Sequence, residues 1–198
     1  EGVAFQFSSS TKFGHYLFRD CINLATFVLQ EAAHPQELPA RMNGRELDQG
    51  CLSSTGIGTL ELTRDFQVLG AHACDNCKLL KKVDISNTKI EEIQEFTFVH
   101  CTSLCEVRLP STLHTIRVKA FMNCAALPEL AIPPSLHYIA SRAFLDCTVL
   151  KRLTRMPGQR TTWRGTYAEE TVFALCPAWR WPQWLHMIPD LGCVSDLA

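Results

Sequence analysis

The feature that most constrains this chain is one pattern written three times between Ile90 and Leu153: IEEIQEFTFVHCTSLCEVRLP, LHTIRVKAFMNCAALPELAIP and LHYIASRAFLDCTVLKRL. Each copy runs Ile, four residues, Phe, two residues, Cys, two residues, Leu, then further apolar positions. Cys101, Cys124 and Cys147 recur every 23 residues. A fixed period of this size marks a stacked repeat. One copy cannot bury its own apolar face, whereas stacked copies bury a continuous one.

The register extends in both directions. In HACDNCKLLKKVDI, Cys77 takes the Cys place and Cys74 the Phe place, with Leu80, Val83 and Ile85 as the apolar strand. One copy earlier, GCLSSTGIGTLEL puts Cys51 in the Phe place and Ser54 in the Cys place, followed by Ile57, Leu60 and Leu62. Earlier still, KFGHYLFRDCINLATFVL fits through Phe13, Leu17, Phe18, Cys21, Leu24, Phe27 and Leu29. Residues 31–41, EAAHPQELPAR, then read as an inserted polar, Pro-containing loop. Toward the C-terminus, VFALCPAW sets Phe173 and Cys176 in register with Trp179 in the Leu place, after a short insertion within residues 156–167. The expected organisation is a solenoid of about six repeats over residues 8–155, then a degenerate repeat and C-terminal cap over 156–198.

Elementary geometry assigns the parts of one copy. Leu-x-x-Val-x-Leu-Pro, as in Leu104 to Pro110, alternates like a short half-buried strand. Pro110 and Pro133 end it, because proline cannot continue a hydrogen-bond ladder. A Phe and a Cys three apart fit one helical turn facing inward. The residue before the Cys place is short and polar in most copies: Asp20, Ser53, Asn76, Asn123 and Asp146, with His100 and Leu175 as exceptions. Such side chains suit a turn, where they bond nearby backbone.

The motif IxxxAFxxCxxLxxIxLPxxLxxI resembles the BspA-type leucine-rich repeat, closely over Ile90 to Leu153 and loosely over Phe13 to Ile85. The resemblance implies a leucine-rich-repeat solenoid: short parallel strands stacked with helical turns and loops. It also implies a curved, non-catalytic scaffold that binds proteins or other ligands. The family occurs in bacterial surface proteins and in unicellular eukaryotes. It has no shared catalytic residues to carry over.

Composition excludes several function classes. The net charge is −1, so no polyanion partner is implied. No apolar run approaches the roughly 18 residues that cross a bilayer. The chain opens EGVAFQF, without Met or a signal-peptide pattern, as expected of a fragment or a processed product. No nucleophile elbow, phosphate loop, HExxH or dinucleotide fingerprint occurs, so neither an enzyme nor a cofactor is expected.

Ten cysteines are unusual at this length. In register, Cys74 replaces a core Phe and Cys77 is the repeat Cys, so their CxxC reads as buried packing rather than a redox pair or half a zinc site. Stacked cysteines of adjacent copies lie within disulfide range by Cα separation, but parallel side chains point the same way. Free thiols are expected, with Cys176–Cys193 the one pair open to bridging. Unpaired thiols, together with the lack of any N-x-S/T acceptor, favour an intracellular or organellar site over secretion.

The surface candidates are partner-binding ones. The strand positions flanking the buried residues form an open sheet face that includes Lys82, Asp84, Glu106, Arg108, Glu129 and Arg152. Its mixed signs and lack of a basic stripe argue against nucleic acid. Trp179, Trp181 and Trp184 crowd one C-terminal segment, suited to capping the open end of the core or to contacting a partner. Membrane contact is expected only through a partner or this segment. His114 and His137 fall in one column, and with no third recurring ligand they read as a solvated pair. The expected function is a non-catalytic interaction module, a structural or accessory subunit or scaffold of a larger assembly. The alternative is a surface or secreted adhesion protein binding matrix protein or glycan.

Overall fold

The structure is a computed structural model, and it describes residues 5–6, 14–24, 29–30, 45–155, 167–168 and 171–178. Among these residues there are thirteen strands: β1 (Phe5–Gln6), β2 (Leu29–Gln30), β3 (Arg45–Leu47), β4 (Thr59–Glu61), β5 (Phe66–Leu69), β6 (Lys82–Asp84), β7 (Glu92–Ile93), β8 (Glu106–Arg108), β9 (Thr115–Ile116), β10 (Glu129–Ile132), β11 (Tyr138–Ile139), β12 (Arg152–Arg155) and β13 (Tyr167–Ala168). The main sheet is parallel, in the order β12-β10-β8-β6-β4. A second parallel sheet, β13-β11-β9-β7, forms another side of the later coils, and β3 pairs in parallel with β5 in the earlier ones. Two-residue to four-residue strands stacked in this way make a parallel β-solenoid of about five turns.

The sequence period becomes register directly. Thr59, Leu60 and Glu61 pair with Lys82, Val83 and Asp84, which pair with Glu106, Val107 and Arg108. Because side chains alternate across a strand, the middle residue points inward and its neighbours point out. Leu60, Val83, Val107, Leu130 and Leu153 are accordingly buried. The second sheet contributes Ile93, Ile116 and Ile139 to the same core.

Between the sheets lies the Phe-Cys segment. It forms hydrogen-bonded turns, and no residue of the described set is helical, so the expected helical turns are absent there. The cause is a pair of left-handed residues in each copy. His72 and Asn76, Phe96 and His100, Lys119 and Asn123, and Arg142 and Asp146 all have φ between 55° and 61°. A right-handed helical turn cannot contain such residues. Alternate amides then point at the next copy: Phe96, Phe98 and His100 N–H donate to the carbonyls of Val118, Ala120 and Met122 at 3.2, 2.8 and 2.9 Å. The segment therefore ladders like a strand while still turning its Phe and Cys inward.

The left-handed residues also correct the register of one copy. Gly50 and Ser54 occupy these positions at φ 62° and 57°. Thr55, not Ser54, therefore holds the Cys place, and Leu52, not Cys51, holds the Phe place. The thiols agree. Cys77, Cys101, Cys124, Cys147 and Cys176 Sγ donate to the carbonyls of Leu52, Cys74, Phe98, Phe121 and Phe144, at 3.0, 3.1, 3.2, 3.1 and 2.9 Å. Each acceptor sits in the Phe place of the preceding copy. Thr55 starts this ladder with its Oγ1 3.4 Å from Cys77 Sγ.

Beside the thiols runs a column of rings. Phe98, Phe121, Phe144 and Phe173 stack with centroids 5.3, 5.4 and 5.5 Å apart and planes within 19°. Cys74 and Leu52 continue the column with smaller side chains, and both are fully buried. All nine described cysteines carry free thiols, and only Cys21 and Cys105 are exposed. Gly56 marks the docking of the first copy: a Cβ there would lie 2.0 Å from the Ile22 carbonyl oxygen.

Candidate functional site

The main sheet aligns the outward side chains in two rows. One row reads Thr59, Lys82, Glu106, Glu129, Arg152, and the other Glu61, Asp84, Arg108, Ala131, Thr154. Neighbouring copies are one strand spacing apart, about 4.8 Å, so charges in adjacent copies are within direct reach. Lys82 Nζ lies 3.4 Å from Glu61 Oε1, and Arg108 Nη1 lies 3.4 Å from Asp84 Oδ2. Arg108 Nη2 also reaches Glu106 Oε1 at 2.9 Å, and Arg152 Nη2 reaches Glu129 Oε2 at 2.8 Å. All six predicted sheet-face residues thus share one surface, and each is ion-paired within it. Exposed pairs of this kind contribute about 0–1 kcal/mol each, so what they supply is fixed geometry rather than stability.

Asp84 is the best-held member. Ser86 donates to its Oδ1 from the backbone N–H at 3.2 Å and from the hydroxyl at 2.7 Å. Partial burial works to raise its pKa, but the Ser86 bonds and the Arg108 and Lys82 charges outweigh it and hold the carboxyl below its ordinary value. Glu106 and Glu129 are row neighbours of like sign, an arrangement that repels. Each is neutralised by its own arginine.

The remaining candidates sit elsewhere. His114 and His137 are exposed neighbours on the second-sheet side, with ring centroids 5.5 Å apart. Among the described residues, no three His, Cys, Asp or Glu side chains gather to hold a metal ion. No helix of the described residues is long and apolar enough to cross a membrane. Trp179, Trp181 and Trp184 lie outside the described residues.

Most of the buried thiols are held protonated, by burial or by a neighbouring thiol. Burial, with Asp48 adding to it, pushes the Cys51 thiol up to about 12. Burial likewise raises Cys101 and Cys124. A hydrogen bond between Cys74 and Cys77, reinforced by burial, drives Cys74 upward. The same bond favours the Cys77 thiolate, but Cys77 is fully buried.

One cluster escaped the sequence reading. His72 Nδ1 lies 3.1 Å from Asp75 Oδ2, and His100 Nδ1 lies 3.9 Å from Asp75 Oδ1. His72 also stacks on Phe96 at 4.7 Å, with Lys119 over the Phe96 ring at 5.3 Å. His72, Phe96 and Lys119 share one repeat column, but Asp75 and His100 stand at other positions, so no single column reveals the whole group.

Comparison with known proteins agrees with this architecture. The family model described as a BspA-type leucine-rich repeat region matches six copies over residues 45–174. The chain is similar to a leucine-rich cell surface protein from Faecalibacterium prausnitzii, at 26% identity and TM-score 0.56, covering 61% of this chain and 32% of that one. It is similar in fold to a leucine-rich repeat protein from Bacteroides ovatus, at 22% identity and TM-score 0.58, covering 88% and 47%. A leucine-rich repeat protein from T. pallidum shares 26% identity at TM-score 0.54, covering 75% and 78%. The chain thus spans about a third of the first of these structures and about half of the second. No curated protein matches it. The fold is that of protein-interaction and surface-protein modules, and family and fold are typically non-catalytic. With its 23-residue coils, inward Phe and Cys columns and parallel strands, the chain belongs to the BspA-type leucine-rich repeat family.

Proposed function

We propose that this chain is a non-catalytic module that binds another protein through the charged face of its main sheet, as a scaffold or accessory subunit of a larger assembly. The carrying observation is the ion-paired pattern Glu61–Lys82, Asp84–Arg108–Glu106 and Glu129–Arg152 on one parallel ladder. Side chains held in place before binding lose less freedom when a partner arrives. Charged faces of this kind govern partner choice and encounter rate more than raw affinity. A second binding surface at Trp179, Trp181 and Trp184 belongs to the same proposal. The test is affinity purification from the native source with wild type and with the charge reversals K82E, R108E and E129K. Stoichiometric proteins captured by wild type and lost by folded face variants support the reading. Equal capture by all forms refutes it.

A second reading is adhesion to matrix protein or glycan at a surface. It is supported by the F. prausnitzii relative, which is a cell surface protein. Solid-phase binding to immobilised glycans and matrix proteins, with no stoichiometric partner in the purification, would favour this reading.

A further inference from the structure

We propose that the junction between β8 and β10 is a one-sided hinge, at which the main sheet opens while the rest of the coil stays closed. The proposal stands on the ladder itself and does not depend on what the face binds.

Just before each strand of the main sheet, one column of backbone amides links successive copies. Lys81 N–H donates to the Gly58 carbonyl at 2.8 Å, Cys105 N–H to Lys81 at 3.0 Å, and Lys151 N–H to Pro128 at 2.9 Å. The missing link is Pro128 to Cys105, because proline has no N–H. Among the described residues, no backbone amide donates to the Cys105 carbonyl. The pairing is thin at the same place. Strands β8 and β10 share the single register pair Arg108↔Ala131, whereas β4 with β6 and β6 with β8 share three pairs each, and β10 with β12 four. The ion pairs stop there too. Each of the other main-sheet junctions is bridged by one, but Arg108 faces the uncharged Ala131.

The other sides of this junction are closed. Arg117 grips Glu92 with bonds of 2.9–3.1 Å across β7 and β9. His114 N–H donates to Glu91 at 2.7 Å, and Arg117 N–H to Ile93 at 2.9 Å. The turn ladder from Phe96 to Met122, the Cys124 thiol on Phe98 and the Phe98–Phe121 stack are intact. One thinly linked edge opposite a fully linked edge makes a pivot. Opening would change the angle between the strands β4, β6, β8 and the pair β10, β12, and so the spacing of the charge rows on either side.

Hydrogen–deuterium exchange on the full chain tests this. In wild type, the β10 amides should exchange at least roughly tenfold faster than those of β8, while the β9 amides stay protected, since one net hydrogen bond is worth about a tenfold change. P128K restores an N–H in the position held by Lys81 and Lys151, and should slow β10 exchange roughly tenfold without altering β9. A131E supplies a carboxylate opposite Arg108, and should slow β10 independently; it decides the matter if P128K does not fold. Equal protection of β8 and β10 in wild type overturns the proposal. So does exchange of β9 in step with β10, or a failure of the folded variants to slow β10.

Discussion

Phe121→Ala gives the most demanding test of the stacked core. The Phe121 side chain is fully buried, and its ring lies between Phe98 at 5.3 Å and Phe144 at 5.4 Å. Truncating a buried Phe to Ala costs about 3–5 kcal/mol, through lost burial and the cavity left behind. Two stacked contacts disappear at once, each worth about 0.5–1.5 kcal/mol, which places the loss at the upper end, about 4–5 kcal/mol. The backbone does not compensate, because the Phe121 N–H bond to Ala143 at 2.8 Å and the Cys147 thiol bond to Phe121 O at 3.1 Å are already made. With a urea slope of about 2 kcal/mol/M, the unfolding midpoint should fall by about 2 M. Phe121→Leu keeps most of the volume and should cost about half as much. Circular dichroism or tryptophan fluorescence during urea titration reads both. A loss below about 1 kcal/mol for Phe121→Ala would refute a continuous aromatic column.

Four further outcomes are expected. Alkylation of the native protein at pH 8 should modify Cys21 and Cys105 and spare the seven buried thiols of the described residues, with peptide mass spectrometry as the readout. Cys124→Ala should cost about 1–2 kcal/mol and Cys124→Ser clearly less, because a hydroxyl can still donate to Phe98 O; a calorimetric melt compares them. Asp84 titrates below its ordinary value of 3.8 in the fold, so its contribution is full above that value and lost as pH falls through the carboxylate range; Asp84→Asn should flatten acid destabilisation there by under about 1 kcal/mol, read from unfolding midpoints at pH 2–6. Gly56→Ala would bring a methyl against the Ile22 carbonyl and should release residues 14–24 to limited proteolysis while the later copies stay resistant.

Most of the architecture was legible because a 23-residue period leaves little freedom: once copies stack, equivalent residues must form columns. That is why Ile93, Phe98 and Cys101 could be placed beside Ile116, Phe121 and Cys124, and why the six charged residues fell on one face. The helical turn failed because side-chain spacing of three is shared by a helix and by a tight turn. What separates them is the sign of φ, to which an inward Phe and Cys are indifferent. The run of Asp, Asn and Ser before the Cys was a usable signal for left-handed backbone. Cys51 and Ser54 misled by imitating the Phe-Cys spacing, whereas the hydrogen-bond ladder selects Leu52 and Thr55. The ion pairs were not legible, since partners 21 to 24 residues apart are chosen by side-chain reach within a shared row. The His72–Asp75–His100 group was hidden for a related reason: it joins different positions of neighbouring coils.

Among the described residues, twelve non-glycine ones have positive φ, and they carry a consequence for how the molecule comes apart. Each opposes its local preference by about 1 kcal/mol, so together they oppose the fold by on the order of 10 kcal/mol, comparable to the whole stability of a typical domain. Short turn bonds inside a coil, such as Asp75 N–H to the His72 carbonyl at 3.1 Å, offset only part of this. The rest comes from amides and thiols that reach a neighbouring coil, such as those of Asn76 and Cys77. A coil that loses its neighbour therefore loses much of what holds its shape. Its turn should relax at once, so the solenoid sheds whole coils from its ends rather than unravelling residue by residue.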